Sequence, residues 1–161
     1  MGAELSPPRP RIRLRVGVSG HRAPPKLPTQ SAAPLHAVLD RILATIMATA
    51  RNSENDLAGA GPASGRSEFV VVSSLAEGSD RIVAEAGLAA GCTLEAVLPF
   101  ARGEYARDFA TAESRAEFKR LLGTATAVFE LDGAADDRMR AYEAAGFVML
   151  ANIDLLITLW D

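Results

Sequence analysis

The sequence predicts an α/β protein: five short parallel strands in one sheet, with helices against both of its faces. Three observations predict it. Short apolar, partly β-branched runs alternate with segments whose apolar residues recur at three- and four-residue steps, in the order β-α-β-α-β-α-β-α-β. Two of the strand runs, VGVSGHR (16–22) and FVVVSSLAEGSDR (69–81), end in small polar residues and then in charge. An open parallel sheet builds its ligand crevice in this way, outside the carboxyl ends of its strands. Finally, 161 residues at 48% hydrophobic and 23% charged suffice for one domain with a real core and exclude wholesale disorder.

Each element has its own signal. Residues 1–10 carry three prolines and little apolar content, a flexible lead-in to a single domain over 11–161. The first strand alternates Ile12, Leu14 and Val16 with Arg11, Arg13 and Arg15, which is awkward for a strand covered on both faces. The expectation is that the arginines protrude below the sheet and that only 16–18 are enclosed. A proline-rich loop, APPKLPTQ, precedes a long amphipathic helix over 31–51, capped by Ser31 and striped by Leu35, Val38, Leu39, Ile42, Leu43, Ile46 and Met47. Residues 52–67 read as loop and 68–75 as strand two. Ser79 or Asp80 caps a second helix, whose stripe of Ile82, Val83, Ala86 and Ala90 stops at Gly91. Strand three covers 93–99. Ser114 and Glu117 have capping-box spacing ahead of Phe118, Leu121 and Leu122, which signals helix three. Strand four is 127–131, helix four 136–152 and strand five 154–161. That strand reaches the last residue with no helix behind it. The last covering helix of the fold is missing, so the domain is expected to continue past Asp161 or to be covered there by a partner.

The balance of charge narrows the partners. A net charge of -3 supplies no global attraction to nucleic acid or to an anionic membrane, although a local basic site for one phosphate is compatible with it. No stretch approaches the roughly 18 apolar residues of a membrane helix, and the start lacks the apolar core of a secretory signal. With Cys92 as the single cysteine, no internal disulfide forms, and a cytoplasmic location is the default. Two histidines and one cysteine without ligand spacing give no metal site, and no cofactor is implied.

Parallel strands gather the candidate ligand residues at one rim: Ser19, Gly20, His21 and Arg22 after strand one; Ser73, Ser74, Glu77, Gly78, Ser79, Asp80 and Arg81 after strand two; Pro99 and Tyr105 after strand three; Trp160 and Asp161 at the end of strand five. Backbone N–H groups of Gly20, Gly78 and Ser79 suit a phosphate or carboxylate, and Arg22 or Arg81 adds bidentate contacts. Glu77 and Asp80 prefer ribose hydroxyls or a base edge and are the candidate catalytic carboxylates. Turn formation and helix capping explain Gly78 and Ser79 equally well. Tyr105 and Trp160 either stack on a base or pin the loop and the sheet edge. No dinucleotide fingerprint and no phosphate-binding Gly-Lys-Ser/Thr loop is present.

The segments VGVSGHR (16–22) and SSLAEGSDRIVAEAGLAAG (73–91), with 97–122 and 141–161 behind them, resemble the SLOG superfamily of Rossmann-like domains. This group includes the Smf/DprA proteins, the LOG phosphoribohydrolases, YpsA-like and DUF2493-like bacterial proteins and the N-terminal region of TRPM channels. Gly20-His21-Arg22 and Gly78-Ser79-Asp80-Arg81 match the Gly-x-Arg and Gly-Ala/Ser-Asp-Arg of the YpsA-like members. The resemblance implies a Rossmann-like three-layer fold that binds or senses a nucleotide or nucleotide-derived metabolite in bacterial signalling or defence. In the LOG branch, a Gly-Gly-x-Gly-Thr-x-x-Glu segment after a later strand supplies phosphate contacts and the catalytic glutamate. This chain ends at Asp161, where such a segment is expected to begin. The alternatives are an N-glycosidic bond hydrolase of the phosphoribohydrolase type and a protein-interaction module with a vestigial pocket, with a homo-oligomer or further domains as partners.

Overall fold

Residues 12–22, 32–56 and 67–160 are described by a computed structural model. The elements are β1 (Arg13–Gly20), α1 (Ala32–Asp56), β2 (Glu68–Ser73), α2 (Ser79–Ala89), β3 (Thr93–Leu98), a short α3 (Arg102–Tyr105) continued by a 3₁₀ turn (Ala106–Asp108), α4 (Ala112–Thr124), β4 (Ala127–Glu130), α5 (Arg138–Leu150) and β5 (Leu155–Leu159). Every strand pairing is parallel and the sheet order is β4-β3-β2-β1-β5. The chain therefore has the α/β, Rossmann-like arrangement that its pattern predicts.

The strands are apolar on both faces because alternate residues enter two different cores. Val16, Val18, Phe69, Val71, Leu94, Ala96 and Leu98 pack with Leu39 and Leu43 of α1, Val83 of α2 and Phe118 and Leu121 of α4. Val70, Val72 and Val97 turn the other way, onto Ala145 and Met149 of α5. From β1 to β4 the chain steps across the sheet in one direction. It then returns over the opposite face through α5 to lay β5 against the free side of β1. The strand order thus reverses between β1 and β5, and a crevice opens at such a point.

Several expectations are corrected. In β1 only residues 16–18 are buried, as expected, and Arg13 is exposed; what the sequence does not announce is that Arg13 and Arg15, in register with Glu68 and Val70, are tied down. Both pair with Glu95 of β3, at 2.6 and 3.3 Å, and this carboxylate is only 5% exposed. An ion cluster, buried at Glu95 and open to solvent at Arg13, thus occupies the face that Gly17, Val70 and Val97 share. Helix α1 runs on to Asp56, into the stretch read as loop, because no glycine or proline intervenes before Gly59 and Ser53 donates to the Thr49 carbonyl one turn back. The N-cap of α2 is Gly78, at φ 89°, and not Ser79 or Asp80, whose side chains are engaged elsewhere. Thr111 caps α4 by accepting from the Ser114 N–H, so Ser114 and Glu117 lie within the helix. β2 stops at Ser73, short of Leu75, and α3 with its 3₁₀ turn has no counterpart in the sequence reading. The lead-in over 1–10, the loop over 23–30, the Ser31 cap and Asp161 lie outside the described residues.

Candidate ligand-binding site at the carboxyl edge of the sheet

The two rim turns emerge side by side, and the Gly-Ser-Asp-Arg run is what lashes them together. Gly78 takes a backbone conformation that favours glycine and so starts α2 directly beneath the end of β1. Ser79 donates twice to the His21 carbonyl, from its N–H at 3.2 Å and from its hydroxyl at 3.0 Å. The Asp80 carboxylate accepts the Ala76 N–H at 3.3 Å, and Arg81 Nε donates to the Leu75 carbonyl at 3.1 Å. Leu75 itself sits at φ 57°, the sole positive value at a non-glycine among the described residues. Such a backbone stores strain and persists only where its surroundings hold it. Here the holders are Arg81 on its carbonyl, Ser73 Oγ on its N–H at 3.0 Å, and full burial of its side chain. The kink presents Ser74 and Ala76 to the rim.

Above this loop lies a cavity of about 210 Å³, lined by Gly20, Arg22, Ser74, Ala76, Pro99, Tyr105, Tyr142 and Ala145. Its cation is Arg22, whose side chain is 48% exposed. The guanidinium carbon stands 5.0 Å from the centroid of the Tyr142 ring, and Nη2 lies 4.0 Å from a carboxylate oxygen of Asp108. That carboxylate is already occupied. It is 7% exposed, accepts the Tyr142 hydroxyl at 2.6 Å and is ion-paired with Arg138, which also reaches Glu104 at 3.0 Å. Arg22 also meets the Tyr105 and Tyr142 hydroxyls, and the half of its side chain that stays exposed is reachable by an anion from solvent. Beneath it, burial pushes the Asp80 carboxyl up to about 6, against the Ala76 N–H and the Ser73 hydroxyl, which pull it down. Burial and then the Asp80 carboxylate hold the Tyr105 phenol above its ordinary range, so it remains a donor.

The structure divides the sequence candidates into groups. Gly20, Arg22, Ser74, Pro99 and Tyr105 line the cavity. Ser73, Ser79 and Asp80 are buried beneath the rim as the supports described above. His21 and Trp160 form a ring pair beside it, with centroids 4.3 Å apart. Ser19 lies exposed on β1, opposite Thr158. Glu77, Gly78 and Arg81 line a different cleft, of about 580 Å³, between α2 and α4. There Glu77 accepts the Ser114 hydroxyl, and Arg81 binds Ser114 and Glu117 with its guanidinium 4.5 Å over the Phe109 ring. That cleft is larger, but Glu77, Glu85, Glu113 and Glu117 make it hostile to anions. Tyr142 and Arg138 escape the sequence reading, because only the return of α5 over the sheet swings its first turn onto the rim. Their signal is an i, i+4 pair at the start of that helix. No group of three or more His, Cys, Asp or Glu among the described residues is placed to hold a metal ion. No helix there is long and apolar enough to cross a membrane.

Fold and rim together define a Rossmann-like domain with a cavity outside the carboxyl ends of its parallel strands. Among solved structures the chain is similar to TM1055, a structural genomics target, at 16% identity, over 91% of this chain and 60% of that one, with a TM-score of 0.49. It is also similar to DNA processing protein A (DprA) from Streptococcus pneumoniae, at 15% identity, over 89% and 58%, with a TM-score of 0.34. The chain spans about three fifths of the length of these two proteins. No protein-family model matches it, and no curated protein does.

Proposed function

We propose that this domain binds a nucleotide or nucleotide-derived metabolite at the β1/β2 rim, with Arg22 holding its phosphate. The observation that carries this reading is the half-exposed Arg22 guanidinium at the cavity, next to a carboxylate that Arg138 and the Tyr142 hydroxyl already engage. A half-exposed guanidinium, held by the Tyr105 and Tyr142 hydroxyls at the cavity, suits a doubly charged group with several oxygens, as in phosphate. Ser74 and the Tyr105 hydroxyl add polar atoms around an otherwise apolar wall, the usual composition of a small-molecule site. The resemblance to SLOG domains supports the same ligand class, as does the placing of the cavity outside the carboxyl ends of the parallel strands.

Binding, as a sensor does it, is favoured over glycosidic bond cleavage. A hydrolase of the phosphoribohydrolase type needs a carboxylate facing the sugar. Glu77 is turned to Ser114 in the other cleft, and Asp80 is buried against Ala76. The test is calorimetry of the chain against AMP, GMP and ADP-ribose, with Arg22→Met alongside. Binding by the wild type, weakened about tenfold or more in the variant, is the expected result. Absence of heat with every nucleotide, or equal affinity in the variant, would overturn the reading.

A further inference from the structure

Trp160 is the only tryptophan of the chain, and it is 75% exposed. So large an apolar ring held in water calls for an explanation, and this ring is held in place. Its centroid lies 4.3 Å from that of His21, with the planes 32° apart. The pair is also tied to the cavity. His21 sits between Gly20 and Arg22, both of which line it, and donates its N–H to the Leu159 carbonyl at 3.3 Å. Leu159 is the register partner of Gly20, and Trp160 is the next residue. The rings therefore stand at the carboxyl ends of β1 and β5, beside the β1 residues that line the cavity. The cavity itself, at about 210 Å³, falls below the roughly 300 Å³ at which pockets begin to enclose a whole ligand. A ligand whose phosphate and sugar fill it keeps its remaining part outside.

We infer that Trp160, backed by His21, is a stacking platform for the base of a mononucleotide whose phosphoribosyl end occupies the Arg22 cavity. The inference rests on the reading of that cavity as a nucleotide site and extends it to the base. Every nucleobase offers a π-face, so the platform accepts any base and ranks purines above pyrimidines by stacking area. Its contribution is about tenfold or more in affinity.

The single tryptophan makes the test direct, because emission excited beyond the tyrosine absorption band reports Trp160 alone. AMP, UMP, ribose 5-phosphate and inorganic phosphate are titrated into the chain, by fluorescence and by calorimetry. The expected result is quenching by AMP and, less strongly, by UMP. Ribose 5-phosphate is expected to bind about tenfold or more weakly than AMP and to leave the emission unchanged. Trp160→Ala should bring AMP down to the affinity of ribose 5-phosphate without altering the latter, while Trp160→Phe keeps most of the difference. AMP binding that depends on Arg22 but ignores Trp160, in both emission and affinity, overturns the platform and leaves the cavity reading intact. Emission that shifts with protein concentration and not with AMP assigns Trp160 to a contact between copies and likewise overturns it. No binding by any of these ligands overturns both.

Discussion

A carboxyl group buried under the rim makes the fold sensitive to pH in an unusual direction. Burial raises Asp80 to about 6, above the roughly 3.9 of an unfolded aspartate. Between those values the native state holds more protons than the unfolded one, so this group's contribution to stability falls as pH rises through the window and is level above it. The gap between the two values corresponds to about 3 kcal/mol. Asp80→Asn keeps an oxygen for the Ala76 N–H and removes the charge. It should therefore be more stable than the wild type at pH 7, by up to about 3 kcal/mol, and show no such advantage at pH 4. Urea denaturation at the two pH values checks this, and the same difference at both would refute the assignment. Gly20 fixes the neighbouring contact by its lack of a side chain. A Cβ there would stand 2.5 Å from Ser79 Oγ and 2.8 Å from Ser79 Cβ, and would meet the Leu159 carbonyl as well. Gly20→Ala must push β1 away from α2. The expected result is a loss of about 1–3 kcal/mol in denaturation, together with weaker nucleotide binding in calorimetry.

At the scale of elements, the Gly-Ser-Asp-Arg run shows how a motif can be read in the right place with the wrong direction. Glycine, serine, aspartate and arginine at a helix start spell an anion site, and the sequence offers no means of telling side chains that meet a ligand from side chains that meet the next loop. What decides it is the left-handed turn at Leu75, which brings the Leu75 carbonyl and the Ala76 N–H back over α2, where Arg81 and Asp80 take them. A positive φ at leucine has no sequence signature. Arg81 also reaches α4 through Ser114 and Glu117, so it ties β2, α2 and α4 together while 3% exposed. Arg81→Met should cost about 2–3 kcal/mol, because the buried Leu75 carbonyl loses its donor and the kink its restraint. Glu117→Gln should cost under about 1 kcal/mol, since the Glu117 side chain is 41% exposed. Thermal melts of the two variants separate these cases, and equal losses would mean that the ion pair, not the grip on the loop, is what stabilises.

For the molecule as a whole, alternation of strand and helix made the layers and the parallel sheet legible, and with them the rim. The order of strands was not legible, because local pattern cannot say on which side of β1 the last strand docks. That choice carries α5 across the sheet, and it decides that Tyr142 and Arg138 join the site. It also leaves surface uncovered. α5 buries Ala145 and Met149 yet exposes Met139 (69%), Phe147 (71%) and Leu150 (50%), so the helix is apolar on both sides. On β5, Leu156 is exposed and shares a sheet face with Gly17, which looks toward Ile153 beside α5. Apolar surface of this extent lowers its free energy by leaving water, at roughly 25 cal/mol per Å². In a pure solution of this chain the surface available to cover it is the same face of another copy. The chain should therefore self-associate as its concentration rises, and light scattering should register the increase in mean mass. Phe147→Lys with Leu156→Lys should abolish that increase while the melting temperature at low concentration stays within a few degrees of the wild type, since neither side chain is buried. A wild-type mass that does not change with concentration, or a double variant that associates as before, would show that this face is satisfied by water alone.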